Sequence, residues 1–429
     1  MKKKLVRAAL VAGLTVLFAS AAFTVTSAAA DDSAKPKISK SLSKPLSDAQ
    51  KAFTAKDWPT MIANMKLAQA VADQTDYDKY IVNYYSGLAY YNSGDKAQAT
   101  VHFVAAAEST AAPPEDRATA LHIAIDLENQ AKNYTKEIEL GLMAEKAGAL
   151  NSPAAAELAV AYYNTNDYVN AKLYAQKSID ADAAAGKLGD RAAYQVVLMS
   201  LNRQKDVTGE LATLALMSKD FGDPEDWGNF IDVSLGTLPT LPSREISALY
   251  FYRLRLTVGA KTKSDDYLLM CELSLGLRFP GEAQRTVQAG IKAGVLDQTQ
   301  PKVAACMNKA NAAARTDEPS LAAADAAAAK GANATGDLSV AEDYYGYGRY
   351  ADAVRVAQRA IGKGGPKATE AQLLVGVVQA VQGDAAAAQS LAAVRGDAGL
   401  EKAAAAWTLY VTRKYGQPAA PPATPPAAH

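Results

Sequence analysis

Apolar positions recur at helical spacing along the chain, in helix-length blocks broken by short polar turns. In residues 80–107, Tyr84, Gly87, Leu88, Tyr90 and Tyr91 fall at helical spacing, Ser93-Gly94-Asp95 interrupts, and Ala97, Val101, Val104 and Ala105 resume with Phe103 between. A turn that short predicts two antiparallel helices packed together. The order small residue, aromatic, turn, alanine is clearest at Gly87, Tyr90, Gly94, Asp95, Ala99, Phe103 and Ala106. It returns at Ala341, Tyr344, Gly348, Tyr350, Ala353, Ala357 and Ala360, and again at Gly376, Gly383, Asp384, Ala388 and Ala392. Helix formers dominate and no segment sustains the alternation of a strand, so the fold class is all-α.

The turns set the period. They lie at Lys56-Asp57-Trp58, Gly94-Asp95, Lys132-Asn133-Tyr134, Asn166-Asp167-Tyr168, Lys205-Asp206-Val207, Arg278-Phe279-Pro280, Gly348-Arg349-Tyr350 and Gly383-Asp384. Successive spacings are 38, 38, 34, 39, 73, 70 and 35 residues. The two long gaps each hold two periods, which places degenerate turns near Leu238–Pro242 and Thr316–Pro319. The expectation is an α-solenoid of about ten helix pairs over residues 46–415, with possible sub-arrays 46–220 and 221–415. One pair cannot bury both its faces, so it needs neighbours. Gly87 and Ala99 are expected to meet where two helices cross, with Tyr90 and Phe103 filling the space beyond.

These repeats resemble the tetratricopeptide repeat family, whose pattern is W-x2-L-G-x2-Y followed by A-x3-F. The matching residues are Gly87, Tyr90, Ala99 and Phe103, and Leu158, Ala159, Tyr162 and Ala171. The family's Trp is absent from every copy, its terminal Pro is mostly missing, and half-a-tetratricopeptide and Sel1-like repeats share the architecture. Asp265–Gly294, with the turn Phe279-Pro280-Gly281-Glu282-Ala283, is also similar to tetratricopeptide proteins of Gram-negative envelopes. The resemblance implies a binding scaffold.

The ends read differently. Lys2, Lys3, Lys4 and Arg7 precede an uncharged apolar run from Ala8 to Phe23, and Ala28-Ala29-Ala30 precedes Asp31. Residues 1–30 are thus expected to be a secretory signal peptide that directs the chain to the periplasm, leaving it not integral to the membrane. The apolar run is shorter than the roughly 20 residues a spanning helix needs. Residues 31–45, with Lys35, Lys37, Lys40 and Lys44 among Ser and Pro, read as a flexible basic linker, and 416–429 as a Pro/Ala-rich disordered tail. The whole chain carries 45 Lys and Arg against 45 Asp and Glu, and loss of the leader makes it mildly acidic. That argues against a nucleic-acid partner. Cys271 and Cys306 occupy nearly equivalent places in adjacent pairs; export permits a bridge, but two buried, unpaired cysteines are the expectation.

Chemistry is sparse. His102, His122 and His429 are the only histidines and none has a paired ligand four residues on, so no metal site and no cofactor are expected. The chain lacks a G-x-S-x-G elbow and a P-loop, and Gly362–Gly365 reads as a helix stop, so no catalytic residues are assigned. What remains is a polar row on the first helices of residues 80–205, which in this architecture face the inner curve. Tyr84, Tyr91, Asn92, His122, Asp126, Asn129, Tyr163, Asn164, Asn202 and Arg203 are its members. Asn can hydrogen-bond a peptide backbone in both senses and Tyr adds flat contact area. Asn near a helix end is also a common C-terminal cap, and capping is the weightier reading for the asparagines. The sequence therefore points to a non-enzymatic scaffold for an envelope protein or peptide. The competing class binds envelope polysaccharide, for which the Asp126/Tyr163 neighbourhood is the one hint.

Overall fold

The computed structural model describes residues 37–416. The signal-peptide segment 1–30, residues 31–36 of the expected linker and all but the first residue of the tail lie outside the described residues. Every regular element among the described residues is a helix. The chain divides into two compact units that part at Ser200/Leu201 rather than at 220/221. The first contains α1 (Lys40–Thr54), α2 (Trp58–Gln69), α3 (Asp76–Ser93), α4 (Lys96–Glu108), α5 (Pro114–Ala131), α6 (Tyr134–Lys146), α7 (Ser152–Asn164) and α8 (Tyr168–Ala184), and α9 (Arg191–Gln204) runs across the division. The second contains α10 (Val207–Asp220), α11 (Pro224–Gly236), α12 (Arg244–Thr257), α13 (Ser264–Gly276), α14 (Pro280–Lys292), α15 (Pro301–Lys330), α16 (Ala334–Gly346), α17 (Tyr350–Lys363), α18 (Pro366–Gln382), α19 (Ala387–Ala392) and α20 (Ala398–Tyr415).

All eight clear turns form, and all eight share a left-handed residue. Lys56, Gly94, Lys132, Asn166, Lys205, Arg278, Gly348 and Gly383 each take positive φ. In seven of these turns the following N–H reaches back five residues, as in Asp57 N to the Ala52 carbonyl at 2.8 Å and Asp206 N to the Leu201 carbonyl at 3.0 Å. This closes the first helix of a pair. In four of the turns the residue after the left-handed one then caps the second helix with its side chain. The carboxylates of Asp57, Asp95, Asp167 and Asp206 accept the backbone N–H groups of Thr60, Gln98, Asn170 and Gly209. A helix stop and a helix start in adjacent residues leave the chain no room except to reverse.

In the first unit the crossing of α3 and α4 is built differently from the expectation. A Cβ on Gly87 would stand 2.9 Å from the Phe103 ring, so Gly87 receives Phe103 rather than Ala99. Tyr84 meets the same ring edge-on at 5.9 Å. The linker expectation also needs correction, because α1 starts at Lys40 and makes residues 40–45 helical. Leu42 and Leu46, one turn apart, are both buried. That burial offsets the hydrogen bond Pro45 cannot make inside the helix.

The second unit departs from the expected pattern at α15. No turn forms at Thr316–Pro319; one helix runs on through Pro319. Its alanines have the highest helix propensity, and polar tethers hold its second half. Asp317 accepts from the Tyr347 hydroxyl at 2.9 Å, Asp325 from Arg355 and Arg359 at 2.6 Å each, and the Ala328 carbonyl from Lys363 at 2.7 Å. The array therefore carries one long helix where a tenth pair was expected. The pair α11–α12, joined across Leu238–Pro242, does form.

Cys271 on α13 and Cys306 on α15 are bridged, with 6.6 Å between their Cα atoms, which corrects the expectation of two unpaired thiols. Their equivalent repeat positions bring the two backbones within bridging range once α13 and α15 pack side by side.

The second unit also closes on itself, which a simple array does not, since solenoid repeats touch only their neighbours. Helix α20 packs against α10, α12 and α18. Trp407 on α20 is fully buried, and its indole N–H donates to the Tyr250 carbonyl at 3.0 Å. Lys402 donates to the Thr237 carbonyl at 2.7 Å and Arg413 to that of Phe221 at 3.1 Å.

Candidate functional site

The predicted row in the first unit is not a continuous groove. Tyr84 is only 2% exposed and belongs to the core, where burial raises the pKa of its hydroxyl. Tyr91 and Tyr163 are half-buried, Tyr163 with its ring 5.3 Å from that of Tyr168. Asn92 and Asn164 are exposed, but each amide donates to its own helix, to the Leu88 and Val160 carbonyls at 2.8 Å. They are not C-caps either, since Gly94 and Asn166 hold the left-handed positions. His122 is half-buried between the Ala149 carbonyl at 2.6 Å and the Asn151 amide at 3.2 Å. Asn202 and Arg203 are exposed and fall in the second unit.

One residue of the row meets a partner the sequence reading missed. The Asn129 amide donates to Glu137 at 2.9 Å, and Glu137 is fully buried. Burial raises its carboxyl to about 7, against the lowering effect of Asn129 and with Asp126 and Glu128 adding to the rise. Burial likewise raises Glu157 on α7 to about 8, helped by Asp126 and Glu137. Asp126 itself accepts from Gln130 at 2.6 Å. Glu137 on α6 and Glu157 on α7 thus both resist ionisation, with the nearby charge of Asp126 on α5 adding to each rise.

The second unit holds a groove and a cavity. The groove, of about 550 Å³, runs along α13 and α15 beside the disulfide. Leu268, Leu269 and Leu275 give it an apolar surface, with Asp265 and Glu272 on α13 and Lys302 and Lys309 on α15. Leu269 is 44% exposed, and α13 and α15 are the helices that the bridge ties together.

The cavity, of about 230 Å³, is entered among α12, α13, α14, α16, α17 and α18. Arg253 dominates it. Its Nε and Nη2 donate to the two oxygens of Glu282 at 2.7 and 2.6 Å, and Nη2 also reaches Glu342 at 2.7 Å. All three groups are buried. The guanidinium carbon lies 4.5 Å from the Tyr250 ring centre and 4.3 Å from that of Tyr345. Burial alone would lower the pKa of Arg253, but Glu282 and Glu342 overcome it and hold it well above the usual range. Burial raises the carboxyl of Glu342, which also accepts from the Tyr250 hydroxyl at 2.7 Å. The Nη1 of Arg253 is buried without a hydrogen-bond partner. None of this was legible beforehand, because Arg253, Glu282 and Glu342 come from three separate helix pairs.

No family profile matches the sequence, and no curated protein matches it. Solved structures do. One is a tetratricopeptide repeat protein from Parabacteroides merdae, 10% identical over 63% of this chain and 99% of that one, with a TM-score of 0.34. Another is Naa15/Naa10 bound to HypK-THB, 13% identical over 85% and 65% of the two chains, at 0.39. A third is the apo form of RapI, 9% identical over 75% and 97%, at 0.27. Scores this low establish no shared function, so the function rests on the grooves and charges of this chain. Among the described residues no group of three or more His, Cys, Asp or Glu is placed to hold a metal, and no helix is long and apolar enough to cross a membrane.

Proposed function

We propose that the chain is a non-enzymatic scaffold of tetratricopeptide-like helix pairs that captures a protein segment in the bacterial envelope. The groove along α13 and α15 carries this reading. Its exposed leucines suit apolar side chains of a partner. Its acidic α13 edge and basic α15 edge suit a segment with charges of both signs, laid in one direction. The reading thus moves the binding surface from the polar row of residues 80–205 to the second unit. Export is supported by the basic start, apolar run and Ala28-Ala29-Ala30 sequence, and by the bridged cysteines, since disulfides persist in oxidising compartments.

The test compares capture from envelope extract by the wild type and by the double variant Leu269→Asp, Lys302→Glu, with glycan-array binding measured alongside. Leu269 and Lys302 are exposed, so folding should survive. A defined protein set lost by the variant supports the scaffold. An identical set for both proteins, or binding to glycans alone, removes it.

A further inference from the structure

We infer that the cavity around Arg253 is a binding site for a small organic carboxylate with an apolar body. The inference concerns the interior of the second unit and does not depend on what the α13/α15 groove captures. Arg253 supplies the first argument. A buried guanidinium N–H without a partner is costly, and here it belongs to a residue that lines a cavity. An acceptor oxygen arriving in the cavity would complete the set, because Nε and Nη2 are already taken by Glu282 and Glu342.

Arg285 supplies the second. It lines the same cavity from α14, and its Nη1 donates to the Tyr345 carbonyl at 3.0 Å. Its charge has no ion-pair partner among the described residues. Glu282 and Glu342 are both held by Arg253, so Arg285 is the cation of the lining that no carboxylate holds. A planar carboxylate suits two guanidinium groups, which can each donate in its plane.

The remaining wall sets the body of the ligand. Leu256, Met270, Ala289, Val381 and the Tyr350 ring are apolar surface. The volume of about 230 Å³ is several times the roughly 30 Å³ that a water takes up in the liquid, so a short aliphatic or single-ring group fits. Tyr345 stacks on Arg253 from one side and accepts Arg285 at its backbone, which fixes both cations before a ligand arrives.

The experiment is thermal unfolding of the full chain with hexanoate, hexan-1-ol, hexan-1-amine and inorganic phosphate. Hexanoate is expected to raise the midpoint with saturating concentration dependence, and the other three are not. Arg285→Gln is expected to weaken the hexanoate response at least tenfold. Ala289→Leu, at an exposed lining position, should fill the cavity and abolish the response while circular dichroism stays unchanged. If Arg285→Gln fails to fold, Ala289→Leu decides alone. The inference is overturned by no hexanoate response, by equal responses to hexan-1-ol or phosphate, or by a response unchanged in Ala289→Leu.

Discussion

At the scale of single residues, the first unit keeps one buried and one half-buried carboxyl that resist ionisation. Glu137 and Glu157 are raised mainly by burial, to about 7 and about 8. An unfolded glutamate titrates near ~4.3. Between that value and the folded one, the native state binds more protons than the unfolded state. Their contribution to stability is complete below the unfolded pKa and is lost as pH rises through 7 to 8. Asp343 in the second unit, raised to about 8 chiefly by burial, acts in the same direction. The midpoint of thermal unfolding should therefore fall between pH 5 and 8, and Glu157→Gln should flatten that slope. Parallel slopes for the variant and the wild type would show that Glu157 ionises as freely folded as unfolded.

At the scale of elements, the bridge between α13 and α15 fastens the two walls of the proposed groove. It closes a loop spanning a sequence separation of 35 residues, for which the chain-entropy account gives about 4 kcal/mol. Replacing both cysteines by serine should lower the denaturant midpoint by an amount of that order. Adding reductant should lower the wild type to the same value and leave the variant unmoved. A wild type indifferent to reductant would mean that the bond is not formed in solution. The turn chemistry of the array works independently of the bridge, because a left-handed residue followed by a capping Asp closes and opens helices within one turn.

At the scale of the molecule, the second unit depends on contacts between its two ends in sequence. Trp407 is the largest fully buried side chain among the described residues and joins α20 to α12. Trp407→Ala should cost about 3–5 kcal/mol, with loss of the second unit's cooperative unfolding transition in denaturant. A change within error would mean that α20 is dispensable to the core. Tyr250, whose carbonyl receives Trp407, also carries Arg253 on its ring, so weakening this closure should also abolish the hexanoate response.

The sequence by itself determined the helix-pair architecture, because its signals are local. Gly94-Asp95 or Lys205-Asp206 needs only a few neighbouring residues to stop one helix and cap the next, and a left-handed residue stands at each of the eight turns the spacing placed. Local signals misled only where they were ambiguous. The alanine-rich stretch around Pro319 could turn or continue, and tethers from Tyr347, Arg355, Arg359 and Lys363 favoured continuing. Asn129 looked like a cap or a ligand for a peptide, and became the partner of a carboxyl eight residues on. Tertiary structure alone decided which cysteines could meet, which tyrosines were core and where charge would be buried. Glu282 and Glu342 lie 29 and 89 residues from Arg253, and no helical period relates them. Only the packing of separate helix pairs brings them together, and the return of α20 onto α12 encloses the core they share with Tyr250.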